Sequence, residues 1–82
     1  MNNKKGYVYI ITEGNERYKI GYTRTSVEKR MKALQTGNPN LLTLVKYHEV
    51  IMPARIEAML HTHYKDYLVQ GEWYCLSRDQ IE

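Results

Sequence analysis

The sequence has no Phe, one Cys, two Pro and no apolar run longer than a few residues. Each shortage excludes something. No segment is apolar for long enough to span a membrane as a helix. Cys75 alone excludes an internal disulfide and a multi-Cys zinc site, and it suits a reducing cytoplasm. The N-terminal run Met1-Asn2-Asn3-Lys4-Lys5 is charged and lacks the apolar stretch of a signal peptide. There is no Gly-rich phosphate loop, no HExxH pattern and no Ser-His-acid order. Against the missing Phe stand eight Tyr and one Trp, so the aromatic bulk carries hydroxyls that can bond or react.

The 82 residues make one small domain, 1–82, either by itself or as a fragment of a longer chain. A chain this short buries only about 60% of its unfolded surface, so its core is thin. At 43% hydrophobic and 26% charged residues it is an ordinary globular composition rather than a disordered one. The net charge of +3 is compatible with an anionic partner such as nucleic acid without demanding one.

Gly6–Thr12 reads as a strand, rich in β-branched and aromatic residues. Glu13-Gly14-Asn15-Glu16 marks a turn, and Arg17–Tyr22 returns as the second arm of a hairpin. Thr25-Ser26-Val27-Glu28 reads as a capping box with Thr25 as cap, opening a helix to about Thr36 that stops at Gly37. Leu41–Val50 is a third strand. Pro53 opens a second helix to about Leu68, followed by the tight aromatic segment Gly71-Glu72-Trp73-Tyr74. Ser77-Arg78-Asp79-Gln80 repeats the capping pattern and starts a helix the chain barely continues. The order predicts a small α/β (α+β) domain, with a central three-stranded antiparallel sheet flanked by helices.

On the first helix Val27, Met31 and Leu34 form the apolar stripe, and Arg30 falls on its edge, aimed at the sheet. A guanidinium there needs an anionic partner, supplied either by a buried ion pair or by a bound phosphate. On the second helix the predicted stripe is Ile56, Met59, Leu60 and Tyr67. Glu57 lies on its shoulder, one turn from His61. His61 and His63 point nearly opposite ways, so they cannot share a metal; His63 reads as a core histidine. Glu13, Glu16, Glu28, Glu49, Asp66, Glu72, Asp79 and Glu82 form no spaced cluster, which argues against a two-metal site and leaves room for one Mg²⁺.

Taken together these residues resemble the GIY-YIG nuclease superfamily, especially its short phage and bacterial members. The two name-giving motifs read Tyr7-Val8-Tyr9 and Lys19-Ile20-Gly21, on the arms of the hairpin. Arg30 matches the family's helical Arg, Glu57 its metal-binding Glu, and Gly71-Glu72-Trp73-Tyr74 the end motif of the short subfamily. Tyr7 stands where the family has Gly and Lys19 where it has Tyr. The family's late Asn has no clear counterpart, Glu72 or Trp73 standing near it.

The resemblance implies a divalent-metal-dependent DNA endonuclease or nickase that hydrolyses a phosphodiester bond. Arg30 would stabilise charge on the phosphoryl oxygens. Tyr9 would orient the water and take its proton, supported by the ammonium of Lys19. One Mg²⁺ (or Mn²⁺) on Glu57 would act as a Lewis acid at the leaving oxygen. Tyr7 and His61 would contribute in second rank, and Arg24, Lys29 and Lys32 would hold flanking phosphates. It further implies a monomer or weak dimer with DNA as partner, no small-molecule cofactor, no membrane association, and the cytoplasm of a bacterial or phage-infected cell. The alternative is a non-catalytic nucleic-acid-binding or regulatory module on the same fold. The picture carries a parity condition: Tyr9 and Lys19 share a face of the hairpin only if the connection between its arms has an odd number of residues.

Overall fold

The structure, a computed structural model, describes residues 5–81. Residues 1–4 and Glu82 lie outside them. The first strand, β1 (Lys5–Gly14), turns back into β2 (Arg17–Thr23). Helix α1 (Val27–Thr36), β3 (Thr43–Ile51) and α2 (Pro53–His63) follow. A single 3-10 turn, Lys65–Tyr67, leads to β4 (Leu68–Gln70), β5 (Trp73–Cys75) and the short α3 (Arg78–Ile81). The sheet has five antiparallel strands in the order β3-β1-β2-β5-β4. The expected three strands are its centre, and the short β4–β5 hairpin extends it on the β2 side. No helix of the described residues is long and apolar enough to cross a membrane.

The β1–β2 connection resolves the parity condition. Its tip is a two-residue turn, Asn15 and Glu16, both at positive φ (56° and 61°), the conformation of a twisted hairpin turn. A bulge in β1 between Thr12 and Gly14 adds the odd residue. The Thr12 hydroxyl holds the bulge by donating to the Arg17 carbonyl at 2.7 Å and accepting from the Gly14 amide at 2.9 Å. Tyr9 therefore pairs with Gly21 and Ile11 with Lys19, so Tyr9 and Lys19 do lie on one face.

Side-chain alternation divides the core in two. On one face Tyr9, Ile11 and Leu42 are buried beneath Met31 and Leu34 of α1, with Leu44 and Trp73 beside them. On the other, Ile20, Tyr74, Leu76 and Ile81 are buried against Leu60 of α2 and Tyr64. Gln35 secures the connection after α1. Its amide donates to the Asn40 carbonyl and accepts from the Leu42 amide, each at 2.8 Å.

Several expectations need correction. The cap of α1 is Ser26, whose hydroxyl accepts from the Lys29 amide at 3.3 Å; Thr25 instead bonds the Thr23 hydroxyl. The third strand starts at Thr43, two residues late, because Leu42 is buried under α1. The second helix ends at His63 rather than Leu68, since Leu68 must join β4. Met59 and Tyr67 are exposed rather than part of the stripe, and His63 is exposed rather than a core residue. The start at Pro53 sets the phase. Pro53, packed against Gly6, puts Ile56, Leu60 and Tyr64 toward the sheet and turns Met59 and His63 outward. The final capping pattern does form: Ser77 and Gln80 exchange amide-to-side-chain bonds of 2.8 and 3.3 Å.

Candidate functional site

Strand β5 pairs with β2 only at Arg17, Tyr18 and Lys19, and the Ile20 amide then bonds the Glu72 carbonyl at 3.2 Å. Beyond that point, at Gly21–Thr23, no strand of the described residues covers this side of β2. Helices α1 and α2 lie on opposite faces, and polar side chains from both reach this open stretch.

From the α1 side comes Arg30. Its guanidinium is exposed, and Nε donates to the Tyr9 hydroxyl at 3.3 Å. Tyr9 itself is 1% exposed and lies on the sheet beneath Gly21. A Cβ at position 21 would come within 2.5 Å of the Tyr9 hydroxyl, so glycine is the residue that lets the ring lie flat on β2. The bond to Tyr9 and its negative potential raise the Arg30 pKa, with smaller contributions from Glu72 and Glu57. The partner of Arg30 within the fold is thus a phenol rather than a carboxylate, and its remaining donors face solvent.

From the α2 side come Glu57 and His61, one turn apart and both half-buried. Glu72, from the β4–β5 turn, joins them. One ligand atom from each of the three lies within 4.8 Å of the others. His61 Nε2 donates to the Ile20 carbonyl at 2.9 Å, since a carbonyl only accepts, and in the neutral ring this leaves the lone pair on Nδ1. Glu72 is also held by Lys19, whose Nζ lies 2.9 Å from its Oε1 and 5.9 Å from the centre of the Trp73 ring. Burial is the first cause of a raised Glu57 pKa, and the like charge of Glu72 is the second; His61, Lys19 and Arg30 pull it back. Burial, with Glu72 and Glu57 nearby, likewise raises Tyr74, whose ring is 5.4 Å from that of His61.

Tyr9, Lys19, Arg30, Glu57 and His61 therefore gather around one edge. Tyr7 does not. It is two residues from Tyr9 on the same face, set edge-on against Tyr47 at 5.9 Å in a cleft under the first turns of α1. Lys29 and Lys32 are exposed on α1, and Arg24 is exposed before it, stacked 5.7 Å from the Tyr22 ring. The residue that sequence reasoning missed is Glu72. No spacing links it to Glu57, and its place depends on β5 pairing with β2. The signals the sequence does hold are the turn residue Gly71 before it and the resemblance, which sets Glu72 in the end motif near the late Asn without giving it a role.

The α+β fold thus sets an Arg–Tyr pair and a carboxylate–imidazole cluster at one open strand edge. The chain matches the T5orf172 domain over residues 6–82 and belongs to that family, a domain found in phage and bacterial proteins. No curated protein and no solved structure matches the chain significantly.

Proposed function

We propose that this domain is a divalent-metal-dependent endonuclease or nickase of the GIY-YIG type, acting on DNA phosphodiester bonds. The observation that carries the reading is the convergence of Tyr9–Arg30 from one face and Glu57–His61–Glu72 from the other on the uncovered stretch of β2. The donor set fits a single Mg²⁺ or Mn²⁺. The two carboxylates offer the oxygen donors that these ions prefer, and burial together with the like charge of Glu72 raises the Glu57 pKa, a cost that a bound cation would offset. Glu57, with Glu72 and His61, would hold the ion, which supplies Lewis acidity at the leaving oxygen.

Arg30 binds the scissile phosphate through the donors that Tyr9 leaves free, and its charge opposes the charge that grows on the phosphoryl oxygens. The Tyr9 hydroxyl fixes the guanidinium and presents its own proton and lone pair toward the water that attacks. Lys19 keeps Glu72 in place. Arg24, Lys29 and Lys32 add contacts to flanking phosphates. One site cuts one strand, so nicking is the expected product of a monomer. A second reading, a nucleic-acid-binding module without catalysis, draws on the burial of Tyr9, which leaves its hydroxyl little access to water beyond the bond to Arg30.

Nicking of supercoiled plasmid separates the two. The nuclease reading expects nicked circles with Mg²⁺ or Mn²⁺, none in EDTA, and a loss of about 10²- to 10³-fold in Glu57→Ala. Salt-sensitive DNA binding with no nicking under either ion overturns it in favour of the module.

A further inference from the structure

Lys19 is the covered cation of the site. Its side chain is 14% exposed, against 40% for Glu72, and its Nζ lies 2.9 Å from Glu72 Oε1. An ammonium so far withdrawn from water needs an anion beside it. The backbone fixes where it stands. Lys19 pairs with Ile11 on one side and with Trp73 on the other. The next residue, Ile20, donates its amide to the Glu72 carbonyl at 3.2 Å, and its own carbonyl accepts from His61 Nε2 at 2.9 Å. One short stretch of β2 therefore sets the ammonium, the imidazole and the Glu72 carboxylate together.

The charge of Lys19 reaches both carboxylates of the cluster. Glu57, His61 and Glu72 have ligand atoms within 4.8 Å of one another. Lys19 holds Glu72 directly, and it also draws the Glu57 pKa down, more strongly than Arg30 does. The two carboxylates that would hold a divalent ion thus already share one positive charge. An ion on the same carboxylates would face that charge in a partly buried setting, where like charges repel far more than in water. Lys19 has a second place to rest. The Trp73 ring, its centre 5.9 Å from Nζ, offers its face to an ammonium that leaves Glu72, and the swing needs no movement of the paired backbone. We propose that Lys19 and the divalent ion compete for Glu72, so that Lys19 sets how tightly the site binds metal. The ion takes Glu72 as the ammonium turns onto Trp73. The inference rests on the metal site of the proposed function and not on cleavage. A residue that only braced Glu72 would weaken the ion when removed, whereas removal of a competitor tightens it.

Mn²⁺ titrated into the protein without DNA, followed by calorimetry, reads the competition directly. Lys19→Met keeps most of the side chain and removes its charge. It should bind Mn²⁺ about tenfold tighter than wild type, a middle value for charges in one network. Lys19→Arg restores the charge and should return the affinity toward that of wild type. The same exchange shows in stability. In EDTA, Lys19→Met leaves the two carboxylates without their cation and should melt below wild type, and Mn²⁺ should raise its melting temperature more than that of wild type. If Lys19→Met does not fold in EDTA, recovery of its circular dichroism on adding Mn²⁺ supports the exchange, and failure to recover overturns it. Mn²⁺ binding by Lys19→Met that is equal to or weaker than that of wild type also overturns the competition, and it leaves the metal site standing. A protein that binds no Mn²⁺ in any of these forms loses the metal site itself, and the competition with it. Absence of plasmid nicking while Mn²⁺ is bound removes the nuclease reading alone.

Discussion

The two halves of β2 are built differently. Arg17–Lys19 has a strand on either side and the Ile20 amide is bonded across to Glu72, so their backbone groups are satisfied within the sheet. Gly21–Thr23 has β1 on one side and no strand of the described residues on the other. The covered half anchors the core through Ile20, which is 0% exposed and packs with Tyr74 and Leu76. The open half anchors nothing of that bulk. What it offers is an edge that side chains from both faces can reach. A thin sheet that covered this edge fully would gain backbone pairing and lose the one place where Arg30 and Glu57 come near each other. The same strand thus supplies stability at one end and access at the other.

The largest expected effects test that division directly. Ile20→Ala removes buried methylenes from a packed site and should cost about 2–5 kcal/mol in urea unfolding. Arg30→Ala, on an exposed guanidinium, should leave the urea midpoint nearly unchanged and lower metal-dependent nicking about 10²- to 10³-fold. The comparison breaks if Arg30→Ala destabilises as much as Ile20→Ala, because Arg30 would then be a structural strut.

Gly21 lies where the halves meet. Gly21→Ala would put a Cβ 2.5 Å from the Tyr9 hydroxyl and 2.7 Å from the adjacent ring carbon, and neither the ring nor β1 beneath it can move freely. Overpacking of this kind typically costs about 1–3 kcal/mol. The displaced phenol should also release Arg30, so DNA affinity measured in EDTA should fall together with stability. A variant that folds normally and binds normally would show that Tyr9 does not need the glycine.

Arg30 and Glu57 are legible in the sequence, because each is an ionisable residue set against an apolar stripe of its own helix. The odd hairpin connection is legible only as a condition, since Glu13-Gly14-Asn15-Glu16 permits more than one turn and the bulge depends on the Thr12 hydroxyl. Glu72 is legible only through the resemblance, as a member of the Gly71–Tyr74 end motif, and not as a partner of Glu57. Strands β4 and β5 are three residues each, too short to show alternation, and the pairing that brings Glu72 to Glu57 joins segments far apart in sequence. Those short strands also explain why a three-stranded sheet reads naturally from the sequence. The cleft beside Tyr7 escapes for a related reason: the Tyr7–Tyr47 corner is a cross-strand contact of β1 and β3.

A smaller effect comes from the charge at the open edge. Burial and Glu72 raise the Glu57 pKa above its value in the unfolded chain. A raised carboxylate pKa means that the folded state binds the proton more readily, so ionised Glu57 detracts from stability. The penalty is absent below the unfolded pKa and accrues as pH rises through the folded one. Glu57→Gln in EDTA should therefore melt slightly higher than wild type at neutral pH, with the gap closing as pH falls toward 4.5, the unperturbed value. Added Mg²⁺ should narrow the gap at neutral pH by stabilising wild type alone. A Glu57→Gln protein less stable than wild type at neutral pH in EDTA would refute the sign.

The smallest effect belongs to the far end of the hairpin. Glu16 has φ 61° in the tip turn, a left-handed conformation that a side chain disfavours and glycine does not. Glu16→Gly gives Asn-Gly at the two tip positions, the preferred pair for this turn. Relief of the left-handed strain outweighs the extra freedom glycine has when unfolded, for a net gain of about 0.5–1 kcal/mol. The Glu16 carbonyl still accepts from the Leu76 amide, so the link from the turn to the segment after β5 survives the change. Because Arg17–Lys19 lies between this turn and the open edge, nicking and oligonucleotide affinity should stay at wild-type levels. A stabilised Glu16→Gly protein with altered DNA affinity would mean that the covered half of β2 transmits changes at the turn to the site rather than insulating it.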